Sequence, residues 1–168
     1  MILITYTTLY RKGGDKFARA AKTLAAEKSA SGEPVLCVAV ESKADFVRAL
    51  GQARAPNASG IKELHFIGHS GMYGPMFRST SMPEQFSPHE WRTLEVPFAP
   101  GAVAYFHACR TARWFAPFFA RTFGVPTFGY HWYTTVSLAK DRFVWEGPRR
   151  VTEAPLRSEE HTSELQSH

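Results

Sequence analysis

A histidine and a cysteine each stand at the end of a hydrophobic run, and these two residue types together can perform nucleophilic chemistry. The run Leu64–Gly68 is followed by His69, and the run Val103–Ala108 is followed by Cys109. Continuous apolar runs of this kind are typical of strands buried on both faces of a sheet. A thiolate is a nucleophile, and an imidazole beside it can take up its proton and later protonate a leaving amine. The pattern therefore predicts a catalytic pair, His69 and Cys109.

The elements that must position this pair alternate between strands and helices. Apolar runs predict strands at Ile2–Thr7 and Val35–Val40, and apolar residues at helical spacing follow each of them. Asp15 is the predicted N-cap of the first helix, and Ser42 opens a capping box before the second. This β-α-β-α-β order favours an α/β fold with a mostly parallel sheet of about five to six strands and helices on both faces.

The second half of the chain continues the alternation less regularly. Residues 70–83 are rich in Gly, Pro, Ser and Met, which predicts a functional loop or a short hairpin. Ser87 opens a capping box before a short helix, and a further helix is predicted to begin between Ala112 and Phe115 and to end at Gly124. Two more strands are predicted, Val125–Tyr133 and Arg142–Trp145.

Both candidate residues fall where a parallel sheet binds its ligands, beyond the carboxyl ends of the strands. Sequential strands are usually neighbours, and neighbouring strands are about 4.8 Å apart. His69 and Cys109 are therefore expected to face one pocket. The N-terminus of the helix that follows Cys109 carries partial positive charge and is expected to favour the thiolate.

The residues around Cys109 resemble those of a known group of peptidases. Ala108-Cys109-Arg110-Thr111 is similar to the Ala-Cys-Arg of caspases and to the Ala-Cys-x-Thr of CHAT-type domains, and the His69 strand is followed shortly by Gly71. Over roughly residues 2–133 the chain resembles the caspase-like (clan CD type) fold, which includes caspases, metacaspases, gingipains, separase and CHAT-type domains. The resemblance implies a three-layer α/β sandwich that acts as a cysteine endopeptidase without a cofactor. Cys109 would be the nucleophile and His69 its partner.

The resemblance also implies which groups surround the reacting carbonyl. The backbone N–H of Cys109 and one from the loop after His69 would form the oxyanion hole. The family usually has glycine directly after the histidine, whereas this chain has Ser70 and then Gly71, so both are candidate oxyanion or positioning residues. The candidates for the substrate pocket are Arg110, Tyr73 and His131.

The expected substrate is a protein or peptide, and the sequence leaves its preferred charge open. Three acidic residues are candidates for a pocket that binds Arg or Lys, namely Asp15, Asp45 and Glu84. Two basic residues, Arg78 and Arg110, are candidates for one that binds Asp.

Two other functions remain as alternatives to the cysteine peptidase. Gly68-His69-Ser70 is similar to the start of the Gly-x-Ser-x-Gly elbow of serine hydrolases, with Ser70 as nucleophile, but Met72 stands where the second glycine belongs. A caspase-like fold can also serve as a non-catalytic module for protein interaction. Its recognition face would then carry Arg110, Arg113 and Arg121.

A metal site is the remaining alternative, and no metal is predicted. His65, His69, His107 and Cys109 have ligand types that suit zinc. However, His65 and His107 are expected to lie deeper in the sheet as neutral, hydrogen-bonded histidines.

Composition limits the class of protein and its partners. A chain of 168 residues with 44% hydrophobic and 21% charged residues suits one globular domain. No apolar run approaches membrane-spanning length, so no membrane partner is predicted. The net charge is +5, but no Lys/Arg-rich run predicts a nucleic-acid-binding patch. The two cysteines and the lack of a signal-peptide pattern favour a cytoplasmic location, and the oligomeric state is left open.

The last twelve residues differ in character from the rest of the chain. Arg157–His168 is polar, lacks helical or strand periodicity, and is similar to the conceptual translation of a sequencing-library adapter. We therefore interpret residues 157–168 as a non-native tail and residues 1–156 as a single α/β domain that is truncated at its C-terminus.

Overall fold

A computed structural model describes residues 1–54, 60–136, 143–146, 149–152, 156–158 and 162–165, with side chains up to residue 133. The helices in this part of the chain are α1 (Gly14–Ala30), α2 (Lys43–Gln52), α3 (Pro88–Thr93) and α4 (Phe115–Phe123). The strands up to the end of the described side chains are β1 (Ile2–Tyr6), β2 (Val35–Ala39), β3 (Ile61–Ile67), β4 (Ser70–Gly71), β5 (Gly74–Pro75), β6 (Phe98–His107) and β7 (Thr127–Tyr130). The later strands are β8 (Thr134–Val136), β9 (Phe143–Glu146), β10 (Arg149–Thr152), β11 (Leu156–Ser158) and β12 (Thr162–Leu165).

The central sheet has the order β12-β7-β6-β3-β1-β2. Its five strands from β7 to β2 are parallel, and β12 pairs antiparallel with β7. Counted along the chain, the parallel strands follow the doubly wound order 2-1-3-4-5, in which the winding reverses between β1 and β3. The predicted α/β fold with a mostly parallel sheet is confirmed, and β3 and β6 are neighbours as expected.

Helices cover both faces of the sheet because the side chains of its strands alternate in direction. Ile2 and Ile4 of β1 pack with Ala20 and Ala21 of α1 on one face. Leu3 packs on the opposite face, where α2, α3 and α4 provide a larger core. That core includes Phe46, Trp91, Phe106, Phe115 and Phe119.

Trp91 of α3 is the centre of the larger core. Its side chain is fully buried and contacts a ring of phenylalanines at centroid distances of 4.7–6.5 Å, namely Phe46, Phe86, Phe115, Phe119 and Phe123. Its Nε1–H donates to the Tyr73 carbonyl at 2.9 Å, which anchors the β4–β5 hairpin. The indole therefore connects the core to a loop at the carboxyl edge of the sheet.

Both predicted capping boxes coincide with helix starts, but the first helix begins differently from the prediction. The Ser42 and Ser87 hydroxyls accept from Asp45 N–H and Glu90 N–H. The N-cap of α1 is Gly13, at φ 111°, and not Asp15, which lies in the first helical turn. A Cβ atom on Gly14 would lie 2.3 Å from the Thr8 carbonyl oxygen, so this helix start packs directly on backbone.

Several strands differ in extent from their predictions. β6 begins at Phe98, five residues before the predicted start, because an irregularity between Ile61 and Glu63 of β3 lets pairing continue past Pro100 and Gly101. β7 is shorter than predicted and ends at Tyr130. The predicted sixth strand corresponds to β9, which pairs with β10 outside the central sheet, and Arg142 lies outside the described residues.

β2 is an edge strand, so its side chains are only partly buried, in contrast to the predicted burial on both faces. Two strands, β11 and β12, include residues of the segment interpreted as a non-native tail. The side chains of that segment lie outside the described part of the chain. None of the helices in the described part has the length and apolar character that crossing a bilayer needs.

Candidate active site

His69 and Cys109 lie at the same edge of the sheet, after adjacent parallel strands. Ile67 and His107 are paired Cα partners at the ends of β3 and β6. Each candidate residue follows its paired partner by two positions. Gly68, between Ile67 and His69, tolerates no side chain, because a Cβ atom there would lie 2.5 Å from Thr7 Oγ1. The backbone thus brings the predicted pair to one edge.

The imidazole of His69 is held by the segment between β1 and α1 and by the first residues of α1. Its Nε2 lies 2.9 Å from the Lys12 carbonyl oxygen. Its ring makes edge contacts with Phe17 at 5.0 Å and Tyr10 at 5.9 Å between centroids. A carbonyl only accepts hydrogen bonds, so Nε2 carries hydrogen and Nδ1 is the basic nitrogen of the neutral ring.

Ser70 connects the histidine loop to the cysteine. Its hydroxyl donates to the Cys109 carbonyl oxygen, although the two residues are 39 positions apart in the chain. Ser70 belongs to β4, the first strand of a tight hairpin, and not to a strand-to-helix turn. The elbow of a serine hydrolase requires a helix directly after the serine, so this position suits a residue that holds Cys109 in place better than a nucleophile.

Gly71 and Tyr73 form the exposed part of the same hairpin. A Cβ atom on Gly71 would lie 2.6 Å from Gln85 Nε2, so the hairpin packs closely on the Gln85 side chain. Gln85 Nε2 also donates to the Gly74 carbonyl at 2.8 Å. The Tyr73 side chain is 40% exposed, so it is accessible to a ligand at this edge.

Thr111 fixes the turn that follows Cys109, a role that the sequence analysis missed. Its buried hydroxyl lies 3.0 Å from the carbonyl oxygens of Phe106 and Ala108 and accepts from Tyr130 N–H at 3.2 Å. These bonds join the end of β6 to β7. The Ala-Cys-Arg-Thr pattern drew attention to this residue, but its partners are distant in sequence.

Arg110 has an uncommon backbone conformation directly beside the candidate nucleophile. Its φ is 58°, in the left-handed region, and its N–H donates to the Trp132 carbonyl at 2.7 Å. Such conformations cluster at functional sites, where surrounding bonds compensate for their cost. Here the bond to Trp132 and the bonds of Thr111 hold the turn.

The helix after this turn does not begin next to Cys109. α4 starts at Phe115, so the prediction of its start is confirmed, but residues 110–114 separate it from the cysteine. The field of a helix terminus falls off within the first turn. The expected stabilisation of the Cys109 thiolate by this N-terminus stays a prediction, and residues 110–114 lie between the two in sequence.

The predicted pocket residues lie around the same turn. The exposed Arg110 guanidinium donates from Nη2 to the Tyr133 hydroxyl at 2.7 Å. His131 is exposed, and its carbonyl accepts from Arg113 Nε at 2.7 Å. The central carbon of the Arg113 guanidinium, Cζ, lies 3.7 Å from the centroid of the Trp132 ring. Sequence reasoning gave Trp132 and Tyr133 no role, since only the fold places them beside the cysteine.

A row of polar side chains runs from α1 across β3 and β6 to β7. We call Lys28, Glu63, His65, His107 and Tyr130 the histidine row. The distances are 2.7 Å from Lys28 Nζ to Glu63 Oε2, 2.8 Å from Glu63 to His65 Nε2, and 3.0 Å from His65 Nδ1 to His107 Nε2. The expectation that His65 and His107 are hydrogen-bonded within the sheet is confirmed.

When both histidines are neutral, the hydrogen bonds of the histidine row all donate in the same direction, toward Glu63. The Glu63 carboxylate accepts from His65 Nε2–H, so His65 Nδ1 accepts from His107 Nε2–H. Burial lowers the pKa of His65, although Glu63 acts in the opposite direction. Burial, and then the charges of His65 and Lys28, hold the pKa of His107 well below its usual range. The hydrogen bonds from His65 and Lys28 lower the pKa of Glu63 to about 2.

We expect acid to destabilise the fold through the two histidines. Because their pKa values are lower in the folded than in the unfolded state, the unfolded chain binds protons first, and stability is lost as the pH falls below about 6.5. The free energy of unfolding changes by at most about 1.4 kcal/mol per pH unit for each histidine. Urea unfolding between pH 7.5 and 5 measures it, above the range in which Glu63 titrates.

The matched variants for this prediction are His107→Gln in the row and His89→Gln at an exposed position outside it. His107→Gln should flatten the dependence of the unfolding free energy on pH, and His89→Gln should keep the slope of the parent. Equal slopes for all three proteins would contradict the assignment of acid sensitivity to the row.

The sequence also has a second cysteine, Cys37, and a set of side chains of the types that bind zinc. Burial raises the pKa of the Cys37 thiol, which disfavours its thiolate. Among the described residues, no group of three His, Cys, Asp or Glu side chains is arranged to hold a metal ion. The zinc alternative therefore has no support from the geometry.

No protein-family model matches the chain, and no curated protein matches it either. The edge formed by His69, Ser70 and Cys109 is therefore the basis for the proposed function.

Proposed function

We propose that this protein is a caspase-like cysteine peptidase that cleaves peptide bonds with Cys109 as nucleophile and His69 as acid and base. The observation that carries the proposal is the pairing of Ile67 with His107, because it sets both residues at one edge of adjacent parallel strands. Two further features support it. Ser70 bonds the Cys109 carbonyl, and the Lys12 carbonyl leaves His69 Nδ1 as the basic nitrogen.

The sheet order supports a ligand site at His69 and Cys109. Ligands of doubly wound sheets bind outside the carboxyl ends of the strands. His69 and Cys109 follow β3 and β6, at the centre of this sheet. The Ala-Cys-Arg-Thr pattern then supplies the resemblance that relates the site to cysteine peptidases.

The reaction proceeds in two steps. His69 Nδ1 accepts the thiol proton, and the thiolate attacks the carbonyl carbon of the scissile bond. The oxyanion accepts hydrogen bonds from the backbone N–H of Cys109 and from one in the loop after His69. The C–N bond then breaks, the imidazolium gives its proton to the departing amine, and the acyl group stays on Cys109 as a thioester. Water, deprotonated by His69, attacks the carbonyl carbon of the thioester. The C–S bond breaks, the acid product leaves, and the imidazolium returns its proton to the Cys109 thiolate.

We expect the catalytic hydrogen bonds of His69 to form when a substrate binds. Its contacts are to Lys12, Tyr10 and Phe17, so the ring is oriented before a substrate arrives. Catalytic hydrogen bonds are often long or absent without substrate and form in the complex. A peptide that fills the edge would bring the carbonyl carbon between the imidazole and the thiol.

The experiment that tests the proposal is covalent labelling with a panel of peptide acyloxymethyl ketones, followed by mass-spectrometric mapping of the modified residue. The thiolate displaces the carboxylate of the probe and forms a thioether. We expect one adduct per chain, on Cys109. Cys109→Ala should abolish labelling, whereas Cys37→Ala, the matched control, should keep it because burial keeps the Cys37 thiol protonated.

Two outcomes would overturn the proposal. Labelling of Ser70 would favour the serine hydrolase, and a failure of every probe to modify Cys109 in folded protein would favour a non-catalytic interaction module. Far-ultraviolet circular dichroism of each variant establishes that the chain is folded in the assay.

A further inference from the structure

The loop between β1 and α1, residues 7–13, orients the imidazole of His69. The Lys12 carbonyl accepts from Nε2–H of the imidazole, and the Tyr10 ring makes an edge contact with it. Two residues of this loop have positive φ, Arg11 at 58° and Gly13 at 111°, so its backbone departs from regular structure. Its shape therefore depends on contacts with other parts of the chain, and the contacts that fix the loop also fix His69.

Glu41, which follows β2, binds the first residues of this loop through its carboxylate. Its Oε1 accepts from Thr8 N–H at 2.9 Å and from the Thr8 hydroxyl. Its Oε2 accepts from Leu9 N–H at 3.1 Å. The Leu9 side chain is 57% exposed, so burial of this side chain contributes little to holding the loop. A carboxylate accepts stronger hydrogen bonds than a neutral oxygen does, which makes Glu41 the main anchor of the loop.

The backbone of Glu41 is itself held at both of its polar groups. Its N–H donates to Asp45 Oδ2 at 3.1 Å, and its carbonyl accepts from Arg78 N–H at 2.9 Å. Asp45 lies in the first turn of α2, and the Arg78 side chain pairs with Glu84 at 2.6 Å. The carboxylate of Glu41 therefore projects from a fixed point at the carboxyl edge of the sheet.

The other end of the loop closes on the same residue, Thr8. A Cβ atom on Gly14, the first residue of α1, would lie 2.3 Å from the Thr8 carbonyl oxygen, so the helix start packs on the Thr8 backbone. Thr8 is thus bound by Glu41 on one side and covered by Gly14 on the other. Tyr10 and Lys12 lie between these two ends, in a compact loop whose base is closed. A displacement of Thr8 would therefore also displace the Lys12 carbonyl.

We infer that Glu41 is a positioning residue for the reaction, which holds the β1–α1 loop so that the Lys12 carbonyl fixes the His69 imidazole with Nδ1 as its basic nitrogen. This inference rests on the proposed function and adds to it a residue that acts through the loop. The sequence analysis gave Glu41 no role, because the residues that its carboxylate binds are 32 and 33 positions away.

The first test is the tautomer of His69 in folded protein, measured by ¹⁵N NMR of the imidazoles above the pH range in which histidine titrates. We expect the parent to show the Nε2–H tautomer alone. Glu41→Ala removes all three hydrogen bonds to the loop, so His69 should show a mixture with the Nδ1–H tautomer. His69→Ala identifies the signal by its absence. A loss of stability alone would leave the tautomer in the folded protein unchanged.

The second test is the second-order rate constant of Cys109 labelling by a peptide acyloxymethyl ketone. Glu41→Ala should lower it about 10- to 100-fold, because a small misplacement of a catalytic group is costly. Glu41→Gln keeps one acceptor oxygen for Thr8 and loses the bond from Leu9, so it should lower the rate only about three- to tenfold.

The matched control is Glu33→Ala, which removes a carboxylate of similar exposure from the other end of β2. Glu33 pairs with Lys62 at 2.8 Å and precedes the first residue of β2, at the edge of the sheet opposite to His69. It should keep both the tautomer and the labelling rate of the parent. Urea unfolding of each variant establishes the fraction of folded protein in both measurements.

The outcomes separate the inference from the proposed function. A single Nε2–H tautomer in folded Glu41→Ala would overturn the inference, and so would a labelling rate equal to that of Glu33→Ala. If Glu41→Ala does not fold, Glu41→Gln decides in the same way, since a rate equal to that of Glu33→Ala would overturn the inference. If no probe labels Cys109 in the parent, the peptidase is wrong, and the tautomer still shows whether Glu41 orients His69.

Discussion

Replacing His69 with alanine is expected to slow the modification of Cys109 by a peptide acyloxymethyl ketone by about 10²- to 10⁴-fold. The imidazole is oriented by the Lys12 carbonyl and by the Phe17 ring, so its removal takes away a positioned base without cutting into the larger core. The measurement is the second-order rate constant of labelling at fixed pH, followed by intact-protein mass spectrometry.

The control for this substitution is His89→Ala, which removes an exposed imidazole from α3. It should label at the rate of the parent. If His69→Ala labels as fast as His89→Ala, then Cys109 ionises without the help of His69, and the catalytic pair is wrong. Urea unfolding of both variants checks that a rate difference does not arise from a loss of folded protein.

Trp91→Ala is expected to have the largest effect on stability, a loss of about 3–5 kcal/mol in the free energy of unfolding. The indole is fully buried among five phenylalanine rings, so its removal leaves a cavity and takes away the bond to the Tyr73 carbonyl. Domains of this size have about 5–15 kcal/mol in total, so the variant approaches the limit of folding. Urea denaturation at neutral pH measures the difference.

Two further tryptophan variants define the origin of that effect. Trp114→Ala removes a side chain that is 69% exposed and should change stability by less than about 0.5 kcal/mol. Trp91→Phe keeps most of the apolar volume and loses the N–H donor, so it should cost less than Trp91→Ala. Similar unfolding midpoints for Trp91→Ala and Trp114→Ala would show that the ring cluster is not the main core.

Local signals in the sequence predicted most of the elements. The Ser42 and Ser87 capping boxes mark helix starts because the hydroxyl and the amide that it caps are three residues apart. Alternation of strands and helices predicted the parallel sheet, and sequential neighbours placed β3 beside β6. The caspase-like assignment and the peptidase activity stay predictions.

The contacts that complete the site depend on residues far apart in the chain, so no short pattern reveals them. Lys12 contributes a backbone carbonyl to His69 across 57 positions, and a carbonyl has no residue-type signature. Thr111 meets Tyr130 across 19 positions, and Ser70 meets Cys109 across 39. The start of α4 was predicted correctly, and the effect of its N-terminus on the Cys109 thiol stays a prediction.

The β4–β5 hairpin has a mechanical consequence for this edge of the molecule. The Ser70 hydroxyl in its first strand donates to the Cys109 carbonyl, and the Tyr73 carbonyl at its tip accepts from Trp91. A Cβ atom on Gly74 would lie 2.5 Å from the Phe115 ring, so the hairpin also packs directly on α4. These three contacts join the hairpin to the turn after β6, to α3 and to α4. The histidine loop and the cysteine turn are therefore coupled to the core, and we expect them to become ordered as the domain folds.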